Sequence, residues 1–71
     1  SIRMGITIKL NGKDTALEND ATIGTLLDKR KMARELVTVQ LNDALVVREK
    51  FDQTTLNADD ELEILFQMGG G

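Results

Sequence analysis

The chain has 71 residues, no Cys, His, Trp or Tyr, and 12 acidic against 9 basic residues for a net charge of −3. One small domain fits this length, and the missing Cys and His remove disulfides, thiolate metal sites, the usual nucleophile and the usual general base. With only Phe51 and Phe66 as aromatic residues and a negative balance, base stacking and phosphate-backbone binding are both disfavoured.

From the start of the chain, Ile6, Ile8 and Leu10 alternate with Thr7 and Lys9, the period of a half-buried strand. Asn11-Gly12 then tolerates the positive φ angles of a tight hairpin. A second strand over residues 13–18 is anchored by Leu17. Thr22 stands where a helix N-cap belongs, and Ile23, Leu26 and Leu27 fall at i, i+3 and i+4. Lys29, Arg30 and Lys31 place positive charge at the negative end of the helix dipole. Gly24 costs this helix about 1 kcal/mol of propensity relative to Ala, so packing must hold it.

Residues 36–41 read as a strand with Val37, Val39 and Leu41 inward, and Asn42-Asp43 turns the chain into a short apolar segment at residues 45–47. Residues 48–55 are polar apart from Phe51, a surface connection with one anchoring ring and a single helical turn. Asn57-Ala58-Asp59-Asp60 has turn composition. The last strand, over 61–68, puts Leu62, Ile64, Phe66 and Met68 inward and Glu61, Glu63, Leu65 and Gln67 outward. The longest apolar runs, such as Ala44-Leu45-Val46-Val47, are too short to span a bilayer, and the interrupted start is unlike a signal peptide. The expectation is a soluble cytoplasmic domain at residues 4–68, with residues 1–3 a cloning remnant and 69–71 a flexible glycine tail.

The order β-β-α-β-β-β describes an α+β domain in which one helix stripe covers one sheet face. The first and last strands alternate best and belong at the centre, running parallel because the helix crossover lies between them. This is a ubiquitin-like β-grasp, a mixed sheet of four to five strands on one helix. The strand order 2-1-5-3-4 is taken from the fold by analogy. The predicted core contains Ile6, Ile8, Leu26, Leu27, Val39, Leu62, Ile64 and Phe66.

The chain ends in Gly69-Gly70-Gly71. At a background glycine frequency of about 7%, chance gives such a run roughly three times in ten thousand, so a chemical reading is preferred. Without Cβ atoms, an extended glycine arm enters a channel too narrow for other residues and reaches on the order of 10 Å. It can deliver a carboxylate into another protein's active site, where the group is a substrate and not a catalyst.

Along residues 4–71 the sequence resembles the ThiS-type sulfur-carrier proteins of thiamin biosynthesis, relatives of ubiquitin. The resemblance rests on Ile8-Lys9-Leu10-Asn11-Gly12, on Thr22-Ile23-Gly24-Thr25-Leu26-Leu27, on the stretch from Val39 to Arg48, on Asp60-Glu61-Leu62-Glu63-Ile64 and on the Gly-Gly end. Val47 stands where the family often has Pro, and Asp59 precedes Asp60 where Gly-Asp is usual. The resemblance implies that a ThiF-like enzyme, using ATP and Mg²⁺, adenylates the Gly71 carboxylate. Sulfur then replaces an oxygen, and the thiocarboxylate supplies a thiazole synthase of ThiG type. The carrier itself would be a monomeric protein co-substrate and not an enzyme, binding no cofactor, metal, nucleic acid or membrane. Gly69, Gly70 and Gly71 would enter the partner's active site.

Leu65 suits an apolar docking contact, although a single exposed leucine is ordinary. Glu61 and Glu63 offer charge complementarity or merely a solvated face. The Asp59-Asp60-Glu61 run fits a turn facing water better than a metal site. Arg48 resembles the family's characteristic Arg and could equally brace a loop through an ion pair. Two rival functions stand beside the carrier of thiazole sulfur: a carrier for molybdopterin or another sulfur-transfer pathway, and a ubiquitin-like modifier or interaction domain.

Overall fold

The computed structural model describes residues 5–67. The expected remnant at 1–3, the start at Met4, the inward Met68 and the glycines at 69–71 lie outside the described residues, as do both ends of the expected 4–68 domain. Five strands form along the chain: β1 (Gly5–Leu10), β2 (Lys13–Glu18), β3 (Val37–Leu41), β4 (Ala44–Val46) and β5 (Glu61–Phe66). One helix, α1 (Ile23–Lys29), follows β2, and two 3-10 helices, Arg34–Leu36 and Arg48–Gln53, precede β3 and follow β4. The strands lie in the order β2-β1-β5-β3-β4, with β1 and β5 parallel and the other neighbours antiparallel. This is the expected β-grasp.

Local chemistry explains the turns. Asn11 at φ 49° and Gly12 at φ 84° give the doubly left-handed hairpin turn between β1 and β2. Asn42 at φ 52° and Asp43 at φ 70° repeat it between β3 and β4 without a glycine, using residue types that tolerate this region. Asp59 also takes φ 69°, a conformation that glycine adopts without strain. Val47, at φ −72°, already has the angle that a proline ring would fix.

Helix α1 is capped by a threonine pair. The Thr25 N–H donates to Thr22 Oγ1 at 3.1 Å, and the Thr22 N–H donates to Thr25 Oγ1 at 2.9 Å, a capping box with Thr in the usual Glu position. The helix ends earlier than its cations suggest: Lys29 lies in the last turn, Arg30 is the C-cap and Lys31 is left-handed at φ 59°. Gly24 has a steric reason beyond propensity. A Cβ there would collide with the Asp52 carboxylate and lie 2.9 Å from Arg34 Nη2. Arg34 bridges Asp28 at 3.0 Å and Asp52 at 2.7 Å, tying α1 to both 3-10 helices. Its hydrogen bond holds the Asp52 carboxyl below the usual carboxylate range.

The core joins Ile8 and Leu10 of β1, Ile23, Leu26 and Leu27 of α1, Val37 and Val39 of β3, and Leu62 and Ile64 of β5. Phe51 and Leu56 close it from the long connection, at 2% and 1% exposure. Ile6 and Leu17 pack against it half-buried. Phe66 departs from the predicted core, being 55% exposed. It shares the facing parity of Leu62 and Ile64, but β1 accompanies β5 only as far as Leu62. The strand therefore runs past the covered part of the sheet before Phe66 is reached. Ile64→Ala should cost about 2–5 kcal/mol in denaturant unfolding, whereas Phe66→Ala should cost less than about 1 kcal/mol.

Candidate functional site at the carboxyl end of the sheet

The site is built around β5, the central strand that carries the chain toward its glycines. At its start, the Lys9 N–H donates to the Asp60 carbonyl at 2.8 Å and the Asn11 N–H to the Leu62 carbonyl at 2.9 Å. Beyond that point β1 has turned away into its hairpin, and the Asn11 side chain takes over the pairing. The Ile64 N–H donates to Asn11 Oδ1 at 2.8 Å, and Asn11 Nδ2 donates to the Ile64 carbonyl at 3.2 Å. The side-chain amide thus stands in for one more peptide group of β1 and satisfies both buried polar groups of Ile64.

On its other side β5 stays bonded to β3. The Gln67 N–H donates to the Leu36 carbonyl at 2.8 Å, and Gln67 Nε2 donates to Thr38 Oγ1 at 3.0 Å. The last described residue is therefore held by main chain and side chain alike, four positions before Gly71.

The start of β5 is braced equally firmly. The Asp60 carboxylate accepts from the Asn57 N–H at 2.8 Å and from Asn42 Nδ2 at 3.1 Å, while Asn42 Oδ1 accepts from the Glu61 N–H at 2.9 Å. Of the acidic run at 59–61, Asp60 thus serves the turn. Among the described residues no group of three or more Asp, Glu, His or Cys is placed to hold a metal ion.

The residues singled out from sequence fall into two groups. Gly69, Gly70 and Gly71 lie outside the described residues. Leu65 is 54% exposed on the open sheet face, opposite Thr38, with Glu63 opposite Gln40 on the same face. Glu61 shares that parity and is exposed. The sheet adds two residues to this face that were not singled out, Leu45 and Val47. Leu45 pairs with Gln40 across β4, and Val47 continues the strand's parity; they are 64% and 51% exposed. Their outward alternation about Val46 was the available signal, but strand order was needed to place them near Leu65. Arg48 follows Val47 directly, opening the second 3-10 helix. Among the described residues it forms no ion pair, so the loop-bracing alternative finds no partner there.

A β-grasp domain whose central strand is pinned to its last rung and leads into three glycines defines the ubiquitin-like class. Comparison with known proteins narrows this. The model of the ThiS family matches residues 7–71. The chain is 32% identical to the sulfur carrier protein ThiS of Bacillus subtilis (strain 168), covering 90% of this chain and 98% of that protein. It is 34% identical to the uncharacterized protein ycf40 of Pyropia yezoensis over 99% of both chains. The crystal structure of a thiamine biosynthesis protein, ThiS, from Geobacter metallireducens superposes with a TM-score of 0.79 at 38% identity. That superposition covers 93% of this chain and all of the other. The chain belongs to the ThiS family, a family of sulfur carriers. No helix among the described residues is long and apolar enough to cross a membrane.

The Asn11 splice is directly testable. Asn11→Gly keeps a residue suited to the left-handed turn but leaves Ile64 without its two side-chain partners. Unfolding should become easier by about 1–3 kcal/mol, and the Ile64 amide should exchange faster in hydrogen-exchange NMR.

Proposed function

We propose that the chain carries sulfur on its C-terminal carboxylate. In this reading a ThiF-like enzyme binds ATP and Mg²⁺, and a Gly71 carboxylate oxygen attacks the α-phosphorus of ATP, releasing pyrophosphate. Sulfide-level sulfur then attacks the carbonyl carbon of the acyl-adenylate; the C–S bond forms as the C–O bond to AMP breaks, AMP leaves and the thiocarboxylate remains. A ThiG-like thiazole synthase takes that sulfur into the thiazole of thiamin. The carrier acts as a monomeric, cytoplasmic co-substrate and holds no cofactor of its own.

The observation that carries the reading is the double anchoring of Gln67, immediately before the terminal stretch. A strand fixed up to that residue gives the arm a defined origin, and four extended residues reach about 13 Å beyond it. Glycines at 69–71 suit a narrow channel because they present no side chain. The open face supplies the grip: Leu45, Val47 and Leu65 form an apolar centre, with Glu63 and Arg48 as its charged rim. Side-chain carboxylates are fixed on the domain and cannot follow the arm into a partner.

Incubation with ATP, Mg²⁺, a sulfur donor and a ThiF-like enzyme should raise the intact mass by the sulfur-for-oxygen difference, at Gly71 alone. Deleting Gly71, or extending the chain beyond it, should abolish the change while the fold persists. Conversion of the truncated chain, or a label on a side chain, would overturn the reading.

A further inference from the structure

β2 is an outer strand of the sheet, and among the described residues no strand pairs with its outer side. In a two-residue hairpin the residues flanking the turn bond to each other, and bonding alternates from there. Lys13, Thr15 and Leu17 therefore direct their main-chain groups to β1, consistent with Lys9 and Asn11 directing theirs to β5. Asp14, Ala16 and Glu18 turn theirs outward. The Glu18 carbonyl accepts from the Ala21 N–H at 3.1 Å, which leaves the main-chain groups of Asp14 and Ala16 facing away from the sheet. The opposite edge, β4, is only three residues long.

Beside this edge a groove of about 660 Å³ runs between β2 and α1, with Leu17, Ala21 and Leu26 among its apolar lining and Lys29 and Arg30 at one end. Arg30 also lines an adjoining hollow of about 510 Å³, together with Lys13 and the apolar Met32 and Ile64. Lys13, Lys29 and Arg30 form no ion pair with any described residue, although the chain carries a net charge of −3. Glu18 and Asp20 stand toward the other end of the groove. It therefore combines an unpaired strand edge, an apolar floor and a cationic end.

We propose that this groove receives an extended segment of a partner protein, added antiparallel to β2. Apolar residues of the segment cover the half-buried Leu17 and Ala21, which lie over the core residue Leu26, and acidic residues at its C-terminal end face Lys13, Lys29 and Arg30. Main-chain bonds to Asp14 and Ala16 supply affinity, while the floor and the cations supply sequence preference. The surface lies apart from the open face bearing Leu65, and its use does not depend on the chemistry of Gly71.

The test is an NMR titration of the full chain, at low salt, with the peptide acetyl-Val-Ile-Val-Leu-Asp-Glu-Glu-amide. Saturable shifts should be confined to residues 14–18 and 25–30, with slower exchange of the Ala16 amide. Replacing the three acids of the peptide by Lys should weaken binding by about tenfold or more. Lys29→Glu combined with Arg30→Glu should do the same while β3 and β5 amides keep their positions. Equal binding of both peptides, shifts centred on Leu45 and Leu65, or no shift at millimolar peptide would overturn the proposal.

Discussion

The short parallel seam between β1 and β5 is the constraint on which the rest depends. Parallel neighbours cannot be joined by a hairpin, so the helix, two further strands and the long connection must all lie between them in the chain. Pairing the first strand with the last also places the chain's final strand at the centre of the sheet. The seam has only two strand rungs, Lys9 with Glu61 and Leu10 with Leu62. It is lengthened at one end by the Asp59 N–H donating to the Thr7 carbonyl at 2.9 Å and at the other by the Asn11 amide on Ile64. Without that amide, β5 would lose its partner on this side two residues earlier.

Covering the seam takes one short helix, and this explains the close fit around it. Seven residues of α1 contribute four buried positions, Ile23, Gly24, Leu26 and Leu27. Gly24 is among them, and the Asp52 carboxylate and Arg34 guanidinium, paired over the helix, occupy the space that a Cβ there would take. Phe51 in that 3-10 helix and Leu56 just beyond it seal the side that α1 leaves open. The result is a platform braced around β5 whose described residues bring no metal-binding cluster together.

Much of this architecture was legible in the sequence because it depends on local period. The alternation of Ile6, Ile8 and Leu10, the i, i+3, i+4 stripe of α1 and the Asn11-Gly12 turn each specify an element within a few residues. Features set by distant neighbours were not legible. Asn11 reads as a turn residue, yet its side chain bonds a residue 53 positions away. Gly24 reads as a weak helix former until Asp52 is seen beside it. Leu56 sits among polar residues with no period to reveal it, and Phe66 keeps the right parity beyond the point where the cover ends. Leu65 could be read as outward from β5 alone, whereas its companions Leu45 and Val47 required the order of the strands. The glycine run that motivates the functional reading is a property of composition and was visible at once.

Native-state hydrogen exchange across the seam tests this account most directly. The amides of Lys9, Asn11 and Ile64 should exchange only through global unfolding, with the same opening free energy as that of Val39 in the core. Exchange of Asn11 and Ile64 through a local opening, while Val39 stays protected, would contradict the claim that the β1–β5 seam holds the final strand firm to the end of the domain.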